Sequence, residues 1–97
     1  MLRHVVLFTW KDGTDPGDVE RVSQGLGSLP GRIPEIRRYE FGPDLGLSAR
    51  SYDYVLVADF DDEPSWRAYL EHPEHRAVVE DRIRPILERL ERIQYEV

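Results

Sequence analysis

His72 and His75 stand three residues apart around Pro73, a few residues after Trp66 and Tyr69, and the chain's third histidine is His4. Histidine is the side chain most readily recruited to move protons near neutral pH. A neutral imidazole beside a tyrosine can take a proton from a carbon next to a carbonyl, while the phenol holds the oxygen as charge develops. His75 falls in the first turn of a helix opened by Pro73, where the helix dipole disfavours a positive charge. That makes His75 the candidate base and Tyr69 its partner. His72 precedes a proline, which pushes it out of helical geometry, so it reads as the residue that ends one helix. Structural uses stand beside these. His75 can lock the helix junction by bonding a backbone carbonyl, Tyr69 lies at helical spacing from Trp66 as a core residue would, and His4 fits a buried, hydrogen-bonded position.

Composition removes other chemistries. With no cysteine there is no disulfide, no thiolate nucleophile and no cysteine-ligated zinc. The three histidines have no established ligand spacing, and Asp61-Asp62-Glu63 lacks the oxygen-ligand spacing of a calcium loop, so no metal is expected. A net charge of −6 argues against nucleic acid as a partner. The 97 residues fit one domain, residues 1–97. The strand pattern begins at once, with no signal peptide and no apolar run of membrane-spanning length, so the expectation is a cytoplasmic protein with no membrane partner.

The elements that must position these residues follow from periodicity. His4 to Trp10 alternates as a strand, with His4, Val6, Phe8 and Trp10 on one face and Val5, Leu7 and Thr9 on the other. Asp15-Pro16 opens a helix carrying Val19, Val22, Leu26 and Leu29, with Gly25 and Gly27 weakening its last turns. A second strand covers Ile36 to Phe41, with Arg37, Tyr39 and Phe41 on one face. A third covers Tyr52 to Phe60, with Tyr52, Tyr54, Leu56, Ala58 and Phe60 facing one way. Asp61 to Pro64 starts a short helix whose inward stripe is Trp66, Tyr69 and Leu70. A longer helix runs from Pro73 until Pro85 kinks or ends it. The run Glu88 to Arg92 reads as a solvated helix face, and Leu90 to Val97 as a last strand.

The order β-α-β-β-α-β predicts an α+β, ferredoxin-like fold: a four-stranded antiparallel sheet with helices on one face. The other face carries Val5, Leu7, Val55 and Val57, too apolar for water, and the simplest cover is a second copy of the chain. Between sheet and helices, His4, Phe8, Tyr54, Leu56 and Trp66 would surround His75 and Tyr69, an apolar cavity with a few polar groups suited to a small hydrophobic or aromatic ligand.

These details resemble the stress-responsive dimeric α/β-barrel family. The matching segments are His4-Val-Val-Leu-Phe8, Leu29-Pro-Gly-Arg-Ile-Pro34, Tyr52-Asp-Tyr-Val-Leu-Val57, Tyr69-Leu-Glu-His-Pro-Glu-His75 with Val78-Val79, and Ile83-Arg-Pro85. They span the whole chain in order. The resemblance implies a homodimer whose sheets form a barrel with the helices outside. Its plant olivetolic acid cyclase branch performs aldol-type cyclisation of a polyketide without a cofactor. Carried onto this chain, the base of that branch is similar to His75, its tyrosine to Tyr69 and its pocket histidine to His4. Tyr54 stands where the branch has a histidine and Leu26 where it has a tyrosine, so the pocket differs in polarity. Other members are stress proteins without assigned chemistry, and related folds include monooxygenases of aromatic compounds. The resemblance thus implies a cofactor-free cyclase or aldol-type enzyme, a non-catalytic stress or assembly protein, or an aromatic-ligand or monooxygenase relative.

Overall fold

The computed structural model describes residues 1–97. Strand β1 (Leu2–Trp10) is followed by helix α1 (Pro16–Ser28), strands β2 (Arg38–Pro43) and β3 (Tyr54–Phe60), and helices α2 (Glu63–Glu71) and α3 (Pro73–Val78). The chain then passes through a π-helical turn (Val79–Ile83) and a 3-10 turn (Arg84–Ile86) into strand β4 (Leu87–Glu96). The sheet order is β2-β3-β1-β4 and every pairing is antiparallel. The ferredoxin-like order read from the sequence is therefore present.

Alternation in β1 and β3 does the main work. Val6, Phe8 and Trp10 of β1, with Tyr54, Leu56, Ala58 and Phe60 of β3, are buried against Val22, Leu26, Tyr69, Val78 and Ile83 of the helical layer. On the opposite face Val5, Leu7, Val55 and Val57 are only half-buried, and Ile93 and Tyr95 of β4 are exposed. Asp59 is a buried acid on that second face. Arg3, its register partner, grips it with two hydrogen bonds of 2.8 and 2.9 Å. The guanidinium holds the Asp59 carboxyl below the usual carboxylate range.

The expectation of a barrel is overturned. β2 and β4 are free edges at opposite ends of the sheet, and no pairing joins them. Closure needs the outer strands to bond each other, and four strands are too few to enclose a core of side chains. The sheet is open, and the core lies between it and the helices.

Local expectations also shift, and β3 begins at Tyr54, not Tyr52. β2 begins at Arg38: the Arg37 amide still donates to the Asp59 carbonyl at 2.9 Å, while its guanidinium is held by Asp61 at 2.9 Å and by the Pro34 carbonyl at 3.0 Å. α1 runs through Gly25 and Gly27 to Ser28. Gly25 is buried, and a Cβ there would stand 2.7 Å from Arg82 Cδ, so the glycine permits close packing between α1 and the π-helical turn. Glu88 to Arg92 is strand, not a helix face: Pro85 ends the helical path and β4 pairs with β1 from Trp10–Leu87 onward, past an irregularity at Thr9/Trp10.

Candidate active site

The break at His72-Pro73 forms as the residue types require. His72 has an extended backbone, closes α2 and caps α3 by accepting from the Glu74 amide at Nδ1, 3.1 Å away. The turn swings His75 beneath Tyr69, with ring centroids 4.2 Å apart. His75 Nδ1 lies 3.2 Å from the Leu70 carbonyl. A carbonyl only accepts, so Nδ1 carries the proton, and the neutral ring presents a bare Nε2 lone pair. Nε2 has no partner in the chain and is not among the sealed polar atoms.

His4 has the complementary arrangement. It is 3% exposed, and its Nδ1 lies 3.0 Å from the Gln94 amide nitrogen. With that nitrogen donating, His4 carries its proton on Nε2. Burial keeps both imidazoles uncharged. His4 is pushed down to about 4 by burial, helped by the Arg92 cation and by the proximity of His75, another group that would carry positive charge when protonated. His75 is lowered by burial against the opposing effect of the Leu70 bond, with His72 and Arg76 adding to the lowering. Desolvation is thus the largest cause of a neutral His75.

Tyr69 is fully buried, and its hydroxyl lies 2.6 Å from that of Tyr39. Burial raises both phenols well above their ordinary value, so both stay protonated. Tyr39 was not a sequence candidate. Its alternation with Phe41 on β2 marks a shared face, but nothing in the sequence marks a hydroxyl aimed at Tyr69.

His4, Tyr69 and His75 meet at a cavity of about 420 Å³ between sheet and helices. Val6, Phe8, Leu26 and Leu56 line it, and Leu70, Val79, Ile83, Leu87 and Leu90 complete the apolar wall. Tyr54 and Trp66 do not line it. Tyr54 is buried behind Phe8 with its hydroxyl 2.6 Å from Ser23 Oγ. Trp66 packs on His4, with ring centroids 5.8 Å apart. The two charged lining residues, Arg84 and Arg92, are not marked as pocket residues by the sequence reading. Arg92 lay within a run that looked like a solvated helix face. Its strand alternation with Leu90 and Gln94 is the signal that places it on the helix-side face of the sheet, where it is solvent-exposed.

No helix is long and apolar enough to cross a membrane. The family described as "Stress responsive A/B Barrel Domain" matches residues 2–97. An uncharacterised protein of Streptomyces coelicolor is 35% identical over 82 residues, covering 81% of this chain and 84% of that protein. The stress-response A/B barrel domain-containing protein HS1 of Arabidopsis thaliana is 25% identical over 76 residues, covering 76% of this chain and 70% of that protein. Among solved structures, a dimeric ferredoxin-like protein of unknown function from Thermobifida fusca superposes with a TM-score of 0.92 at 45% identity, covering 99% of this chain and 90% of that one.

Proposed function

The chain belongs to the stress-responsive A/B barrel domain family, and on that premise we propose that it is a cofactor-independent proton-transfer enzyme of the aldol or cyclase type acting on a small apolar carbonyl compound. The observation that carries this reading is the pair of neutral, oppositely tautomeric histidines that line one cavity, His4 from the sheet side and His75 from the helix side. His75 Nε2 is a base and His4 Nε2–H is a donor. His75 takes a proton from the carbon next to the substrate carbonyl, and His4 donates to the oxygen as the enolate forms. The enolate carbon then attacks a second carbonyl of the same molecule. The His75 imidazolium returns its proton to the resulting alkoxide, which closes the proton balance. Tyr69 acts as a positioning residue that holds the imidazole against its ring face and is itself held by Tyr39. Such chemistry requires neither metal nor organic cofactor. Membership of the family does not single out its cyclase branch, and no polyketide is assigned as substrate.

The working unit in this reading is a homodimer. The half-buried valines and exposed Ile93 and Tyr95 on the helix-free sheet face are the surface a second copy would cover. The Thermobifida fusca relative is described as dimeric, which supports the same assignment.

The chemical step is tested without knowing the natural substrate. 2-Octanone in deuterium oxide exchanges its carbon-bound protons next to the carbonyl only slowly. The wild-type protein should accelerate that exchange near neutral pH, and His75→Gln should reduce it to the background rate. Equal exchange by wild type and His75→Gln would remove the proposed role of His75.

A further inference from the structure

The cavity is electrostatically one-sided in a way the whole chain is not. Acidic residues outnumber basic ones 19 to 13, yet no carboxylate lines the cavity, whose charged lining groups are Arg84 and Arg92. Arg84 is already engaged by Glu80 at 3.2 Å. Arg92 has no ion-pair partner, although the neighbouring acids of β4 do: Glu91 pairs with Arg89 and Glu96 with the N-terminus. β4 fixes where Arg92 stands. It is the register partner of Val6, which is buried on the inner face, and lies two residues before Gln94, which bonds His4. An unpaired, solvent-exposed guanidinium therefore stands on the same sheet wall as the His4 donor, in a lining that is mostly apolar.

We propose that the cavity binds an amphipathic carboxylate, with its ionised head on Arg92 and its apolar body along Phe8, Leu26, Leu56 and Ile83. This deepens the preceding reading and rests on the cavity being a ligand site. A guanidinium presents a planar fork of N–H donors that matches a carboxylate with two parallel hydrogen bonds. No protein carboxylate lines the cavity to compete for it. An alcohol of the same length gains the apolar contacts alone, and an amine would place a second cation beside Arg92. With the head at Arg92, a carbonyl farther along the same molecule can reach the His4 donor and the His75 base.

Binding of octanoate, 1-octanol and octylamine to the full chain tests this by calorimetry or by shifts of methyl resonances. Octanoate should bind about tenfold or more tighter than octanol, the range expected of a hydrogen-bonded charge pair, and octylamine should be weakest. Arg92→Gln keeps much of the side-chain stem. It should bring octanoate to the octanol level and leave octanol unchanged. Equal binding of octanoate and octanol by the wild type overturns the carboxylate assignment while leaving the His75 chemistry standing. A preference for octanoate that survives Arg92→Gln overturns it as well, because the anion then sits elsewhere. Failure of all three probes to bind overturns both the assignment and the ligand cavity.

Discussion

The two histidines that flank Pro73 have separate employments, and each is decided by what its Nδ1 does. His72 Nδ1 accepts from a backbone amide, whereas His75 Nδ1 donates to a backbone carbonyl. The second arrangement exposes a base and the first consumes one. Because burial lowers the His75 pKa, its neutral form prevails at pH 7. We therefore expect the rate of ketone exchange to be flat through neutrality. It should fall in acid as His75 takes a proton, with a midpoint below the ordinary histidine value of about 6.5. A midpoint at or above that value in the pH–rate profile would contradict a desolvated base. His4 makes a stability prediction with a definite sign. Its folded pKa is about 4 and its unfolded value about 6.5, so between these pH values the unfolded chain binds more protons. Stability is thus lost as pH falls through that window, by roughly 3 kcal/mol from this one group. Urea denaturation at pH 7 and at pH 4 should show a smaller difference in His4→Gln than in wild type. An unchanged difference would mean that His4 is solvated in the folded state.

At the scale of elements, the turn between α2 and α3 aims His75, and the His72 cap helps to hold it. His72→Ala removes that cap and should cost about 1 kcal/mol. In a domain of this size that is a fall in Tm of a few degrees. His75→Ala, by contrast, should abolish exchange. Should His72→Ala abolish exchange with Tm unchanged, the two roles would be reversed. This turn was legible in the sequence because proline restricts its predecessor by local sterics alone. The faces of β1 and β3 were legible because an alternation of seven or more residues has one consistent reading. The start of β4 was not. Leu87 and Leu90 continue the helical spacing of Ile83 and Ile86, and only Pro85 with long-range pairing to β1 decides for strand. That ambiguity hid Arg92. Tyr54 and Trp66 were misplaced for a related reason. Facing inward is a property of one element, but lining a cavity depends on which neighbour fills the space first. Ser23 and Phe8 occupy the space around Tyr54, and the His4 ring lies against Trp66.

For the whole molecule, the helices bury one face of an open four-stranded sheet and leave the other with half-buried valines around the Arg3–Asp59 pair. Val57 lies centrally on that face, between Val5 on one side and Glu40 on the other. Val57→Asp should place an unpaired carboxylate in the face-to-face contact and convert the dimer to monomer or aggregate on size exclusion. A variant eluting as an unchanged dimer would put the interface elsewhere. The cavity lies on the opposite side of the sheet, so a soluble Val57→Asp monomer should still bind octanoate. If binding vanished with the dimer, the site would need residues of the second copy.

The central claim is that His75 is a neutral base with its free lone pair turned to the cavity. The most direct measurement is the nitrogen-15 shift pattern of the His75 ring in the ligand-free protein at pH 7. The predicted result is one pyrrole-like nitrogen at Nδ1 and one pyridine-like nitrogen at Nε2. A proton on Nε2, or an imidazolium at that pH, would contradict it.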